Sequence, residues 1–412
     1  MKKNITQLLA FCSLCCGVAS VLTSCIDYDD ATTEISARVQ LSMPEEFTAG
    51  SDLNNHEIVL IQGTKRIVGK TNAEGIATFT GLIPDVYDIS CSWEITAEQY
   101  RQMTQKELSG GTSCTISGSL NSHLIREEQT IQLSTNLAIN RDIIIGKIFF
   151  AGSKDNNNKN YQAGKYLELY NNGNNAVDIS GLYIGLLDSE STQPYTLQNL
   201  HDQYADSVVL AKQVFRIPAG EPFLVQPGGT ALLVNSATDH TEGNDMESDL
   251  TNADFEAKDV SGRTQNNPNV PALELTYTMY ASVSNMNLIQ SGLCSVVIFR
   301  TDEDVKAWPT TYPYGKTTGN QWLLIPVRHI IDAVEVLPNK TTGIDVSTKR
   351  LYPTLDAGYT NIEAKSGWTG EVVYRRTSDK RGTDGHLILV DTNNSSNDFH
   401  VSTTIKPRHY DE

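Results

Sequence analysis

The sequence predicts an all-β protein, and three observations lead to this prediction. Glycine and tyrosine occur 29 and 17 times among 412 residues, and β-branched residues are abundant, a composition that favours strands over helices. Residues 35–42 alternate apolar and polar side chains, which is the period of a half-buried strand. Residues 143–150 form a short apolar run rich in isoleucine, which is typical of a strand inside a core.

Residues 1–24 are predicted to be a secretory signal peptide. Two lysines precede an apolar stretch from Leu8 to Leu22, which is too short to span a membrane comfortably and is followed by small residues. The Leu-Thr-Ser-Cys sequence that ends at Cys25 resembles the bacterial lipobox, and this resemblance implies that Cys25 is acylated. Two or more acyl chains anchor a protein stably. We therefore expect attachment to a membrane through Cys25.

Residues 25–33 are predicted to be an acidic tether. Asp27, Asp29 and Asp30 resemble the export signal of Bacteroidetes-type surface lipoproteins, which implies the outer membrane and its exterior face. The alternative interpretation is an ordinary solvated tether. Removal of residues 1–24 takes away two lysines and no acid, so the net charge changes from −17 to −19. Such a charge excludes binding to nucleic acid through general electrostatics.

Three cysteines remain beyond the lipid attachment site. Cys91 and Cys114 lie in the same N-terminal region, and an exported location permits disulfides, so they are the candidate disulfide pair. Cys294 lies in an apolar run, which predicts a buried small side chain rather than a reactive thiol.

Residues 34–138 are predicted to form a first domain of antiparallel strands. Predicted turns at 72–75 and at Pro84 separate strands near 57–62, 76–80 and 86–93, and further strands are predicted at 112–116 and 129–133. The polar turn, Phe79, the Leu-x-Pro sequence at 82–84 and Tyr87 resemble the carboxypeptidase-regulatory-like and pilin-type B repeat. This resemblance implies a β-sandwich that acts as a spacer, with Asp85 where the family usually has Gly.

Residues 139–412 are predicted to form a second domain, since the character of the chain changes near residue 141. The Tyr-Leu-Glu-Leu strand at 166–169, the Asn-x-Gly turn at 171–173 and the corner at 177–181 resemble the lamin-tail domain, which implies an immunoglobulin-like sandwich. A segment from 235 to 291 interrupts this pattern and is predicted to be an insertion. Together with the lipobox and the ending at 391–399, these features resemble an uncharacterised family of Bacteroidetes surface lipoproteins. The fold class predicted is therefore two consecutive antiparallel β-sandwiches, the second of them enlarged.

Two segments are candidates for ligand sites. Asp245, Glu247 and Asp249 belong to an acidic segment that could coordinate Ca²⁺, but this segment lacks the order of a dedicated calcium loop, and the alternative is a solvated excursion. A proline-stiffened segment is a candidate platform for a glycan or peptide, the alternative being a loop folded onto its own sandwich. The aromatic residues of that platform are Trp308, Tyr312 and Tyr314.

The sequence contains no zinc-protease, serine-hydrolase, phosphate-loop or dinucleotide pattern, so we predict no catalytic residues and no cofactor besides the candidate calcium. The predicted function is a non-enzymatic binding or accessory lipoprotein beside an outer-membrane nutrient transporter. One alternative is a structural or adhesive lipoprotein. The other is a hydrolase whose acid pair is assembled by folding, which two carboxylates in one deep cleft would favour.

Overall fold

The computed structural model describes residues 34–44, 47, 53–63, 65–105, 113–140, 142–190, 192–404 and 406–411. The predicted leader, the lipid attachment at Cys25 and the tether lie outside these residues. Strands make up 42% and helices 8% of the structure, which confirms the all-β prediction. The helices in the described part of the chain have at most eight residues, and none qualifies as a membrane span.

The first domain is a sandwich of two sheets. Its elements are β1 (Ile35–Ser42), β2 (Glu57–Gln62), β3 (Lys65–Lys70), β4 (Ile76–Leu82), β5 (Asp85–Thr96), α1 (Ala97–Thr104), β6 (Ser113–Ile125), β7 (Gln129–Ser134) and β8 (Asn136–Asn140). One sheet has the order β4-β1-β7 and the other the order β3-β2-β5-β6-β8. Alternate residues of β1 and β2 are buried between the sheets, since only one face of each strand meets the core.

One strand pair of the first domain departs from the antiparallel prediction. β1 and β7 pair in parallel, with Ala37 opposite Gln129 and Ser42 opposite Ser134. Both strands start from the same end of the domain, because the β6–β7 turn returns the chain to the end at which β1 begins. Strand β8 still pairs with β6, so the first domain extends to Asn140, two residues beyond the predicted boundary.

The second domain begins with β9. Its first half contains β9 (Ile143–Phe149), β10 (Ser153–Lys154), β11 (Asn160–Tyr161), β12 (Tyr166–Asn171), β13 (Val177–Asp178), β14 (Tyr183–Leu187), α2 (Leu197–Tyr204), β15 (Val208–Arg216), β16 (Leu224–Val225), β17 (Thr230–Val234) and β18 (Phe255–Glu256). Its second half contains β19 (Glu274–Thr278), β20 (Val296–Phe299), β21 (Thr310–Thr311), β22 (Trp322–Pro326), β23 (Ile330–Val334), β24 (Asn339–Lys340), β25 (Gly343–Ile344), β26 (Val372–Arg375), β27 (Thr377–Arg381), β28 (Leu387–Leu389), α3 (Ser395–Asp398) and β29 (Phe399–Ser402).

Two large sheets form the second domain. One has the order β18-β17-β12-β9-β26-β29, and the other has the order β21-β22-β15-β14-β20-β23 with β19 paired to β15. The main core lies between these sheets. A second apolar cluster, which includes Leu200 of α2 and Trp308, covers other residues of the second sheet. This covering explains why every residue of β14 and of β20 is buried.

The insertion at 235–291 belongs to both sheets of the second domain. Strand β18 extends the first sheet in parallel beside β17, and β19 pairs antiparallel with β15. Its apolar side chains Leu250, Phe255 and Leu273 are buried in the main core. The segment is therefore a packed part of the domain rather than a solvated excursion.

Candidate functional site

A cleft of about 500 Å³ lies between the two domains. Strands β5 and β6 form one wall, and the turn at 172–175 with the β27–β28 hairpin forms the other. Most lining residues carry hydroxyl, amide or charged side chains. The lining of this interdomain cleft includes Ser92, Trp93, Glu94, Ser113, Thr115, Asp142, Asn172, Gly173, Asn174, Asn175, Ser378, Lys380, Arg381, Asp391 and Thr392.

The first-domain wall is the outer face of β5 and β6. Strand geometry places alternate residues on opposite faces, so Glu94 points away from the core that Ile95 enters. Thr115 is the cross-strand partner of Glu94, and the Ser113 hydroxyl donates to Glu94 Oε1 at 2.5 Å. The Trp93 ring lies on the other face of β5, where it packs against the core and stacks on the His56 ring with centroids 4.0 Å apart. This wall is therefore lined by hydroxyl groups and one carboxylate.

The second-domain wall is a turn whose asparagine side chains form hydrogen bonds with backbone groups of the β27–β28 hairpin. Asn172 Nδ2 donates to Leu389 O at 3.0 Å, and its Oδ1 accepts from Leu389 N at 2.7 Å. Asn174 Oδ1 accepts from Thr383 N at 2.7 Å. A Cβ atom at Gly173 would lie 2.3 Å from Asp142 Cγ, so this position excludes a side chain. The Asn-rich turn is thus fixed to the β27–β28 hairpin.

Ion pairs hold two of the three carboxylates that line the interdomain cleft. Lys380 Nζ lies 2.8 Å from Glu94 Oε2 and connects the two domains. Asp391 accepts from Arg375 Nη1 at 3.1 Å. Asp142 has no ion-pair partner among the described residues, and burial raises its pKa. No two of these carboxylates are thus free to act as an acid and base pair.

Arg375 connects the cleft to the core of the second domain. It is buried, and its guanidinium also donates to Asp332 at 3.0 Å and to Asp398 at 3.1 Å. Burial lowers the pKa of Arg375, but the carboxylates Asp332, Asp391 and Asp398 raise it further, so that it stays above its usual range. Because the guanidinium is held by two other carboxylates, its contact with Asp391 fixes the position of Asp391 in the cleft lining.

The prediction of an aromatic ligand platform is wrong for Trp308, the largest of its three residues. Trp308 is only 9% exposed, and it stacks on Phe299 and His329 at centroid distances of 5.6 Å. Its indole Nε1 donates to Glu303 Oε2 at 2.8 Å. Of the other two members, Tyr312 is half-buried, and the 46%-exposed Tyr314 contacts the Tyr195 ring edge to face. The segment folds onto its own sandwich because apolar partners cover the indole.

The predicted calcium site is also wrong. Glu247 is buried and accepts a hydrogen bond from the Ser153 hydroxyl, whereas Asp245 and Asp249 are exposed. Asp249 accepts from the backbone N and the hydroxyl of Thr251, which is a turn-capping role. In the part of the chain that the structure describes, no group of three His, Cys, Asp or Glu residues is placed to hold a metal ion.

The predicted Cys91–Cys114 disulfide is absent. Neither cysteine forms a disulfide and both are buried, as is Cys294, for which a buried side chain was predicted. Cys91 lies opposite Gly118, and Cys114 lies opposite Ile95. The two cysteines are thus four positions apart along the β5–β6 ladder, or about 13 Å at the rise of a strand. A disulfide needs Cα atoms within about 7 Å.

Sequence reasoning did not find Lys212, which lies in the buried strand β15. The register of β14 against β15 pairs Leu186 with Gln213 and Leu187 with Ala211, so Lys212 is the extra residue of a β-bulge. Its Nζ has no hydrogen-bond partner among the described residues. Burial lowers its pKa to about 7. The cation therefore lies in the protein interior rather than in the cleft.

Comparison with known proteins gives a family match and several solved structures, of which the first described below has a similar fold. Residues 226–406 match a family described as "Protein of unknown function (DUF4876)". The crystal structure of a DUF4876 family protein from Bacteroides thetaiotaomicron has a TM-score of 0.54 and 21% identity, over 89% of this chain and 94% of that one. A DUF3823 family protein from Bacteroides ovatus gives a TM-score of 0.15 and 9% identity, over 47% of this chain and 81% of that one. No curated protein matches the chain.

The first of these structures supports the all-β fold and carries no information on activity. The family match and this structure confirm the predicted resemblance to an uncharacterised family. The lipoprotein and lamin-tail parts of that resemblance stay predictions.

Proposed function

We propose that this chain is a lipid-anchored protein outside the cytoplasm that binds a neutral glycan in the interdomain cleft without cleaving it. The observation that carries the proposal is the cleft itself, about 500 Å³ in volume, in which most lining residues carry a hydroxyl, amide or charged side chain and Ile388, Leu389 and Val390 add apolar surface. Ligand sites commonly have volumes of about 300–1,000 Å³. Amide and hydroxyl groups suit a ligand that both donates and accepts hydrogen bonds, as sugars do.

The charges of the cleft favour a neutral ligand. Glu94 pairs with Lys380, and Asp391 with Arg375, so neither sign dominates the lining. A phosphate or a nucleotide would require an excess of donors and positive charge. A role beside an outer-membrane transporter, which the sequence predicts, is compatible with such a binding protein and belongs to the same proposal.

Glycan binding is tested with the mature chain on an immobilised panel of neutral plant, host and bacterial polysaccharides, followed by calorimetry with the oligosaccharide that binds. Ser92 is half-buried in the cleft wall, so Ser92→Phe fills the cleft. The exposed Thr317 does not line the cleft, and Thr317→Phe is the matched control. We expect the Kd to rise at least about tenfold for S92F, or about 1.4 kcal/mol, and to stay unchanged for T317F.

Two outcomes would contradict glycan binding in the cleft. One is that no glycan in the panel binds to the mature chain. The other is that a glycan binds and that S92F leaves its Kd unchanged, which would place the site elsewhere.

A hydrolase is the alternative that the raised pKa of Asp142 would support. Chromatography of the bound oligosaccharide after prolonged incubation distinguishes the two functions. Shortened products that disappear in Asp142→Asn would favour hydrolysis. An intact oligosaccharide would favour binding alone, which we expect because the other two carboxylates of the cleft are held by cations.

A further inference from the structure

The predicted tether joins the first domain at one of its two ends. Strand β1 starts there, with Ile35 opposite Leu82. The hydrogen bond of 2.6 Å from Gln62 Nε2 to Asp85 Oδ2 places the end of β2 beside the start of β5. The β2–β3, β4–β5 and β6–β7 turns therefore lie at the same end, which we call the tether end.

Three large apolar side chains are exposed at the tether end. Ile83, Val86 and Leu124 are 41%, 43% and 42% exposed, and we call them the tether-end patch. Val86 and Leu124 are direct cross-strand partners, so their side chains lie on the same face of the sheet. Ile83 lies in the turn just before β5, where its carbonyl accepts from the Tyr87 hydroxyl at 2.7 Å. Single exposed apolar residues are common, but a group of them marks a surface that contacts something apolar.

The opposite end of the first domain is occupied by the second domain. Glu94, near the far end of β5, contacts Lys380. Strand β5 has 12 residues and is therefore about 40 Å long. The tether-end patch is thus eight positions, or about 26 Å, along β5 from Glu94, and Val86 and Leu124 lie on the same face of the sheet as Glu94.

The length of the tether limits what the patch can reach. The chain from Cys25 to Glu34 can extend at most about 30 Å. An acylated Cys25 would hold its bilayer within that distance of the tether end, at which the patch lies. Charges at this end have both signs, as in Arg126 beside Glu127 and Glu128, so attraction to lipid depends on apolar contact rather than on anionic headgroups.

We propose that the tether-end patch inserts shallowly into the surface of the lipid bilayer that holds Cys25. This inference rests on the lipid anchor of the proposed function. Side chains at an interface enter the region between headgroups and acyl chains to a depth of about 5–10 Å. With Ile83, Val86 and Leu124 in that region and β5 upright, Ser92 of the interdomain cleft lies about 20 Å farther from the lipid than Val86.

A fluorescence experiment on the full acylated protein tests this arrangement. Leu124→Cys carries an environment-sensitive NBD label, and Val68→Cys is the matched control. Val68 is equally exposed, at 42%, on the same sheet. It lies level with Ser90, four residues along β5 from Val86 and so about 13 Å farther from the tether end. The buried Cys91, Cys114 and Cys294 are shielded from the reagent.

Each protein is reconstituted in vesicles of phosphatidylcholine and phosphatidylethanolamine, with or without bromine near the carbonyl end of the acyl chains. We expect a shift of the Leu124→Cys label to shorter wavelength and a loss of its emission in brominated vesicles. The Val68→Cys label should show neither change. Val86→Asp, at a position that is 43% exposed, should remove the quenching at position 124.

The possible results separate this inference from the proposed anchor. Protein that does not float with the vesicles would refute the anchor and the inference together. Protein that floats with an unquenched Leu124→Cys label would overturn the inference and leave the anchor intact. Equal quenching at positions 68 and 124 would also overturn it, because the domain would then lie flat on the bilayer. A shift in intact cells without quenching by brominated lipid would assign the patch to a protein partner instead.

Discussion

Replacement of Lys212 by methionine is expected to stabilise the second domain. Lys212 is fully buried in the β14–β15 bulge, and its Nζ has no hydrogen-bond partner among the described residues. The nearby carboxylate of Asp188 is engaged by Arg350 Nε at 3.2 Å. A buried charge without a close partner is unfavourable, whereas methionine fills a similar volume without a charge.

The size of the effect follows from the pKa. Burial lowers the pKa of Lys212 from 10.5 to about 7. Each pKa unit corresponds to about 1.4 kcal/mol, which sets an upper limit of about 5 kcal/mol on the cost of the charge at pH 7. Methionine also loses the attraction to Asp188, so we expect a net gain of about 1–3 kcal/mol in the free energy of unfolding.

The pH dependence gives the sharper test. Between pH 7 and pH 10.5 the unfolded chain holds the Lys212 proton and the folded chain does not, so the stability of the native chain rises with pH across this window. The advantage of Lys212→Met should therefore shrink by about half or more between pH 7 and pH 9. Below pH 7 both states are protonated, and the advantage is constant and largest.

Urea unfolding followed by tryptophan fluorescence measures these changes, since Trp308, Trp322 and Trp368 all lie in the second domain. Lys316→Met, at an exposed position, is the control and should have little effect at either pH. A K212M protein that is less stable than the native chain at pH 7 would refute the reasoning. If K212M does not fold, the free energy of unfolding of Lys212→Gln is measured at pH 7 and pH 9 instead, because this variant also removes the titrating charge.

Three further predictions follow from buried groups. Asp398→Ala should lower the stability of the second domain by about 3–5 kcal/mol in urea unfolding, because it removes a buried partner of Arg375, and a loss under 1 kcal/mol would contradict this. Burial raises the pKa of Glu247 to about 7, so its contribution to stability is full below pH 4.5 and is lost as the pH rises through 7. Glu247→Gln should flatten the Tm between pH 5 and pH 8, whereas the exposed Glu242→Gln should not. Thiol titration of the mature chain without reductant should find no reactive thiol when folded and three when unfolded, namely Cys91, Cys114 and Cys294.

The strands of the first domain were predictable because one face of each is solvated. Val39 is buried and Arg38 is exposed, and that contrast is visible in the sequence as alternation. Helix α1 was missed even though its signal was present. Thr96 and Gln99 form a capping box, a pattern of Thr followed three residues later by Gln that marks a helix start.

The interdomain cleft could not be predicted from a single sequence. Glu94 and Lys380 are 286 positions apart, and neither lies in a local pattern that points to the other. The same holds for Arg375, which meets Asp398 through the pairing of β26 with β29 and meets Asp332 from β23 of the facing sheet. Sites of this kind depend on long-range strand pairing, which the alternation of side chains does not encode.

The acidic insertion was misinterpreted for a reason that is partly visible in its sequence. Asp239, Asp249 and Asp259 are each followed two residues later by Thr or Ser. Each carboxylate accepts from the backbone N and the hydroxyl of that residue, namely Thr241, Thr251 and Ser261. In each case Oδ1 accepts both hydrogen bonds, so a metal ion at that oxygen would have to displace them. The Asp-x-Thr/Ser spacing, visible in the sequence, therefore argues against Asp249 as a ligand of the predicted calcium site, and the burial of Glu247 removes a second of its three ligands.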